Sequence, residues 1–111
     1  MLLVPAAANA WSFTGWDQTC GKGRSFPRAN TGQLGQCQDI AAIRAIGPAD
    51  LQLGQTITFY SNMQQCNTHS RHTRPEHYQV VDVDTLALDA IDEDCLTLQF
   101  TGRAFKVLQA N

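Results

Sequence analysis

The chain has 111 residues, which is enough for one domain and too few for two full hydrophobic cores. Its composition is 43% hydrophobic and 16% charged, with a formal net charge of −2, which is typical of a folded globular protein and excludes a disordered chain. Because there is no surplus of basic residues, nucleic acid is not expected as a partner.

The first ten residues are apolar or small and end in Ala8-Asn9-Ala10, a small-x-small pattern that signal peptidase cleaves. We interpret residues 1–10 as the tail of a signal peptide and residues 11–111 as a single mature domain. The alternative is a frayed apolar terminus. No other apolar run approaches the roughly 18 residues of a membrane span. The sequence therefore predicts a secreted, extracellular protein without a membrane span.

Short runs in which apolar and polar residues alternate predict β-strands along most of the mature chain. Residues 39–46 are ambiguous, because Ile40, Ile43 and Ile46 have helical spacing and one helical turn before a strand fits as well. Residues 21–35 are rich in glycine and predict a long irregular loop. The expected strands, in chain order, lie within residues 13–20, 55–61, 77–84, 95–100 and 103–108.

Four cysteines lie in the mature region, and an even number in a short exported chain predicts two disulfides. The count alone leaves three connectivities open. The four residues are Cys20, Cys37, Cys66 and Cys95.

An internal repeat relates the two halves of the domain, approximately residues 11–50 and 51–111. Each half contains an aromatic residue seven positions before a cysteine, then a second cysteine, then an Arg-Ala-apolar triplet; a chance match is the alternative. The matched segments are Phe13–Cys20 with Phe59–Cys66, and Arg44-Ala45-Ile46 after Cys37 with Arg103-Ala104-Phe105 after Cys95.

This repeat, with Phe59-Tyr60-Ser61-Asn62 before Cys66 and the closing run 102–107, resembles the β/γ-crystallin-like small secreted proteins of fungi. The resemblance covers about residues 11–110. It implies an all-β fold in which two Greek-key repeats pack as a β-sandwich, with one disulfide in each key, Cys20–Cys37 and Cys66–Cys95. The acidic run 92–97 departs from the calcium-binding pattern of that family. Related folds serve as toxins and metalloprotease inhibitors, so the resemblance implies binding rather than catalysis.

All three histidines, His69, His72 and His77, lie close together in sequence after Cys66. Neutral imidazoles on one polar loop could bind Zn²⁺ or Cu²⁺. A solvated polar loop is the alternative, because Cys66 is better used in a disulfide and the neighbouring arginines would repel a cation. No other cofactor is expected.

The sequence contains no recognisable catalytic pattern. Six acids are scattered along the last third of the chain, and no serine lies in a Gly-x-Ser-x-Gly motif. Trp11 and Trp16 could stack on sugar rings, although core packing is the alternative. The six acids are Asp82, Asp84, Asp89, Asp92, Glu93 and Asp94.

We therefore predict a non-enzymatic extracellular binding or effector-like protein, of toxin or inhibitor type, whose target is a protein or a cell-surface glycan. Its contact surfaces are expected in loops 21–35 and 67–77, since exposed loops on a rigid scaffold commonly carry function. The alternatives are a secreted metal-binding module that uses the three histidines, and a small glycan-binding protein or hydrolase. The oligomeric state stays open. The cations of the expected binding surface are Lys22, Arg24, Arg28, Arg71 and Arg74.

Overall fold

A computed structural model describes residues 10–30, 34–85 and 95–109, and antiparallel β-strands dominate it. A short helix, α1 (Met63–Asn67), and a 3-10 turn (Pro75–His77) lie between the fourth and fifth strands. The β-rich fold expected from the sequence is thus confirmed. The six strands are β1 (Ser12–Trp16), β2 (Ser25–Ala29), β3 (Gln38–Asp50), β4 (Gln55–Tyr60), β5 (Tyr78–Asp82) and β6 (Leu96–Gln109).

The strands form one hydrogen-bonded sheet in the order β2-β1-β3-β6-β4-β5, and every neighbouring pair is antiparallel. This order has a two-fold pattern. In each half of the chain a hairpin, β1–β2 or β4–β5, is followed by a long strand that returns beside the first strand of the hairpin. The long strands β3 and β6 pair with each other and join the two halves.

The two long strands pair in two separate stretches. The start of β3 pairs with the end of β6 (Asp39 with Ala104), and the end of β3 pairs with the start of β6 (Ala45 with Thr97). The register shifts on both sides of the Ile43–Gly102 pair that lies between them. Because such irregularities bend strands, β3 and β6 each pass from one half of the molecule to the other.

The sheet curls so that its two halves face each other across one core. Phe13 on β1 and Phe59 on β4 have ring centroids 5.2 Å apart. In a flat sheet these strands, separated by β3 and β6, would lie about 14 Å apart. The Phe105 ring also meets that of Phe13 edge-on at 5.1 Å. The core consists of Trp11, Phe13, Ile40, Ile43, Ile46, Ile57, Phe59, Val81, Leu96, Leu98, Phe105 and Val107.

Two buried glycines permit the close approach of chains at the bend. A Cβ atom built on Gly15 would lie 2.9 Å from Cγ2 of Ile43, and one on Gly102 would lie 3.1 Å from Cδ1 of Leu98. Since a real Cβ atom does not tolerate the first of these distances, a side chain at position 15 would force the Ile43 side chain or the backbone to shift.

The disulfides join the two halves of the chain. They are Cys20–Cys95 and Cys37–Cys66, so the pairing Cys20–Cys37 and Cys66–Cys95 implied by the resemblance is wrong. The two bonds are equivalent under the repeat, because exchanging Cys20 for Cys66 and Cys37 for Cys95 converts one into the other. The two-fold pattern of the strands therefore extends to the covalent links.

The strand order explains this connectivity. Trp16, the last residue of β1, and Thr97, near the start of β6, both pair with Ala45 of β3. The cysteines that follow β1 and precede β6 are therefore brought together. At the equivalent place in the second half, Tyr60 at the end of β4 and Asp39 at the start of β3 both pair with Ala104. The cysteine before β3 thus reaches the cysteine of α1.

Three local expectations are corrected. Residues 39–46 are strand rather than helical turn, and the register shifts of β3 allow Ile40, Ile43 and Ile46 all to be buried despite their spacing of three. The expected loop 21–35 contains strand β2. The two strands expected at 95–100 and 103–108 are one long strand, because Gly102 continues it through the bend as a buried residue.

The repeat also differs from its gap-free alignment. The β1 residue that pairs with Ala45 is Trp16, and the β4 residue that pairs with Ala104 is Tyr60. The alignment instead matches Trp16 with Asn62. The hairpins are therefore offset by two residues relative to the cysteines, and the extra length in the second half includes α1.

Candidate functional site

The three histidines lie in the segment between β4 and β5, residues 61–77, and contact different partners. The Nδ1 atom of His69 lies 2.6 Å from the Tyr60 hydroxyl. The Nδ1 atom of His77 lies 3.2 Å from the Ser61 hydroxyl. The side chain of His72 is exposed, and its backbone N–H donates a hydrogen bond to the Ser70 hydroxyl. The three histidines, although close together in sequence, therefore lie in different surroundings.

The described residues do not bring the three histidines together as a metal site. Cys66 is bonded to Cys37 and is not a metal ligand. Within residues 10–30, 34–85 and 95–109, no three His, Cys, Asp or Glu side chains form a group that could hold a metal. A site built on His69, His72 and His77 stays a prediction; Nδ1 of His69 is bonded to Tyr60, so Nε2 would be the ligand atom of that residue.

His69 belongs to a compact aromatic cluster, which we call the Tyr–His cluster and define as Tyr60, His69 and Tyr78. The His69 ring centroid lies 4.7 Å from that of Tyr78 and 5.3 Å from that of Tyr60. The Nζ atom of Lys106 lies 5.7 Å from the centre of the Tyr60 ring, within cation–π distance. The cluster fixes the middle of segment 61–77 onto β4, β5 and β6.

The electrostatics of the cluster define its hydrogen bond. Burial raises the pKa of the Tyr60 hydroxyl, which therefore keeps its proton at neutral pH. Burial, followed by the positive charge of Lys106, lowers the pKa of His69, so its imidazole is neutral there. The hydrogen bond therefore joins a neutral hydroxyl to a neutral imidazole.

The helix α1 presents Cys66 to its partner. Asn62 caps the helix, since its side-chain oxygen accepts a hydrogen bond from the Gln65 backbone N–H at 2.9 Å. At the other end the Thr68 hydroxyl donates to the Gln64 carbonyl at 2.8 Å. Cys66 is the buried residue of this single turn, where it packs with Tyr60 and Ala104.

The cations of the expected binding surface lie on the two hairpins. Lys22 and Arg24 are exposed in the β1–β2 connection, and the Arg24 guanidinium lies 5.6 Å from the centre of the Phe26 ring. Arg28 lies on β2 and donates to the Pro27 carbonyl. The structure thus assigns these three to the edge formed by β2.

The other two cations, Arg71 and Arg74, are exposed in segment 61–77, which leads into β5 at the opposite end of the strand order. Arg74 forms an exposed ion pair with Glu76 at 3.6 Å. Such a pair contributes little to stability, so this part of the segment is available for contacts with a partner.

The tryptophans and acids singled out in the sequence have different structural roles. Trp11 is buried in the core and cannot serve as a sugar platform, whereas Trp16 is half-buried and its Nε1–H donates to the Gly47 carbonyl. Asp82 accepts two hydrogen bonds from Thr85, which lower the pKa of its carboxyl. Its role is therefore that of a turn residue. The acids at 89 and 92–94 lie outside the described residues, as do residues 1–9 of the predicted leader.

Two features of the candidate sites were not predicted from the sequence. The first is the pair of aromatic residues that contact His69: Tyr60 is the last residue of β4, and Tyr78 is the first residue of β5. Their positions before and after the histidines in the sequence could have indicated this contact. Arg44 was noted only as part of the repeat, although it lines a groove beside the Cys20–Cys95 bond.

No protein-family model matches the sequence, and no curated protein or solved structure is significantly similar to it. Among the described residues, no helix has the length and apolar character needed to cross a membrane. The resemblance to crystallin-like proteins therefore rests on the residue pattern alone.

Proposed function

We propose that this protein is a secreted, non-enzymatic binding protein that recognises an extracellular protein or a cell-surface glycan through segment 61–77. One observation carries the proposal. The segment is fixed at Cys66, at His69 and at His77, whereas residues 70–76 between these points expose mainly polar and charged side chains. A loop that is already ordered loses little conformational entropy on binding, so it is well suited to recognition.

The absence of enzymatic activity is part of the proposal. Ser61 and His77 form a hydroxyl–imidazole pair, which is the start of a nucleophile arrangement. Among the described residues, the carboxylate oxygen nearest to His77 is Oε1 of Glu76, which lies 4.0 Å from Nε2. This distance exceeds hydrogen-bond reach, so no carboxylate of the described residues orients His77 as the acid of a hydrolytic triad orients its base.

For the fold, we infer two Greek keys packed as a β-sandwich, as in β/γ-crystallin-like proteins. The two-stretch pairing of β3 and β6 supports this inference. Each long strand contributes one stretch to each half, so that β1 and β2, or β4 and β5, together with one stretch of β3 and one of β6 make up a group of four, and the two groups share an aromatic core. Secretion is supported by the two disulfides, which persist in oxidising compartments, and by the Ala8-Asn9-Ala10 pattern.

The binding proposal is tested with a loop variant and a scaffold variant of equal charge change. The loop variant carries Arg71→Ser, and the control carries Arg103→Ser on the long strand β6; both arginines are exposed. Wild type and both variants are applied to arrays of extracellular proteins and cell-surface glycans. We expect wild type to bind a target that the control retains and the loop variant loses by about 10-fold or more. Equal binding by the loop variant, or no target for wild type, would overturn the proposal.

A further inference from the structure

The outer face of the first half carries a second candidate site, away from segment 61–77. A groove of about 320 Å³ lies there, next to the Cys20–Cys95 bond. This volume is at the lower end of the range for ligand pockets and suits one small ring. The groove is lined by Gln18, Thr19, Arg44, Ala45 and Thr97.

The second half provides an internal comparison for this groove. Ala104 occupies the position equivalent to Ala45, since each follows the arginine of its Arg-Ala pair. Ala104 is covered by the packed side chains of Tyr60 and Cys66, with Met63 beside them. The first half has no helix between Trp16 and Cys20, and the groove lies there beside Ala45, which is itself buried. The groove therefore lies at a place where the second half instead packs Cys66 of α1.

The charges at the two equivalent places also differ. In the second half Asp39 pairs with Ala104, whereas in the first half Thr97 pairs with Ala45. The residue that pairs with the alanine next to Arg44 therefore carries a hydroxyl, whereas its counterpart in the second half carries a carboxylate. Arg44 is exposed and forms no ion pair with any residue in the described parts of the chain. The groove consequently offers a guanidinium to an incoming anion.

The polar groups of the groove define the ligand chemistry. A guanidinium binds a carboxylate through two parallel hydrogen bonds. The hydroxyls of Thr19 and Thr97 and the amide of Gln18 both donate and accept, which matches the hydroxyls of a sugar ring.

We propose that this groove binds a hexuronic acid residue, a sugar ring that carries a carboxylate, with Arg44 holding the carboxylate. The site is separate from segment 61–77 and does not depend on the function proposed for that segment.

The test uses the intact oxidised protein, labelled with ¹⁵N, and three probes: galacturonic acid, galactose and glutarate. Galactose lacks the carboxylate, and glutarate lacks the sugar ring. We expect galacturonic acid to shift the amide signals of Gln18, Thr19 and Thr97 at millimolar concentration, and to bind about 10-fold or more tightly than either other probe. Equal binding of galactose, or of glutarate, would overturn the proposal.

Variants separate a specific site from general attraction of anions. Arg44→Gln is expected to weaken galacturonic acid binding by about 10-fold or more, while Arg103→Gln, its repeat-related counterpart, leaves it unchanged. Thr97→Val tests the sugar contact without changing charge and is expected to weaken binding severalfold. Thermal unfolding of each variant verifies that it is folded. Equal losses in Arg44→Gln and Arg103→Gln, or signal shifts outside the groove alone, would overturn the assignment.

Discussion

The hydrogen bond between Tyr60 and His69 makes a measurable contribution to stability that Tyr60→Phe removes. The bond is 2.6 Å long and its tyrosine is fully buried. Its loss leaves Nδ1 of His69 without a partner in the cluster, which costs about 1–2 kcal/mol for a neutral pair. For a domain of this size we expect the melting temperature to fall by about 4–12 °C.

The same cluster predicts that acid destabilises the protein. The pKa of His69 is lowered in the folded state, first by burial and then by Lys106, whereas the unfolded chain has the ordinary value near 6.5. Below pH of about 6.5 the unfolded chain therefore binds a proton that the folded state resists. The stability associated with neutral His69 is complete above that pH and is lost as the pH falls through the folded pKa.

Thermal unfolding followed by circular dichroism at pH 7.5 and 5.0, under oxidising conditions, measures both effects. Tyr78→Phe is the matched control, because the Tyr78 ring packs on His69 while the hydroxyl that binds Nδ1 belongs to Tyr60. His69→Gln should reduce the loss of stability on acidification relative to wild type. Equal melting temperatures for Tyr60→Phe and Tyr78→Phe, or the same pH dependence in wild type and His69→Gln, would refute this account of the cluster.

Three further predictions concern the scaffold and its sites. Peptide mapping without reduction is expected to yield Cys20–Cys95 and Cys37–Cys66, and recovery of bonds within each half would contradict the strand order. Phe105→Ala should lower the free energy of unfolding by about 3–5 kcal/mol in denaturant titrations, because its ring is fully buried among aromatic neighbours; a loss below about 1 kcal/mol would contradict this packing. Calorimetric titration with Zn²⁺ should show only weak binding, since the three histidines contact different partners, and submicromolar affinity would contradict that geometry.

Local sequence patterns predict the strands whose side chains alternate. In β4, Ile57 and Phe59 point to the core as their spacing indicates. Strand β2 was missed because it is a short edge strand with only partial burial and contains Pro27, which has no backbone N–H to donate to a neighbouring strand. The isoleucines of β3 were ambiguous because bulges, which no local pattern shows, change the period of burial.

The disulfide pairing and the Tyr–His cluster depend on contacts between distant parts of the chain. Cysteines at the right spacing can pair within a repeat or between repeats, and the spacing does not distinguish the two cases. Only the pairing of β3 with β6 places Cys20 beside Cys95. Likewise, the sequence shows the histidines as neighbours, whereas the ring of His69 is held by residues of β4 and β5.

The exchanged disulfides have a consequence for how the two halves are held together. The halves are joined by the turn between β3 and β4, where Leu53 is 89% exposed. A single proteolytic cut there would produce two chains that stay covalently linked through both disulfides, and only reduction would allow them to separate. A half-length chain with one copy of each cysteine would form the same bonds only as a two-fold homodimer. The covalent connectivity of the protein is therefore that of a disulfide-linked two-fold dimer whose two chains are joined by the turn between β3 and β4.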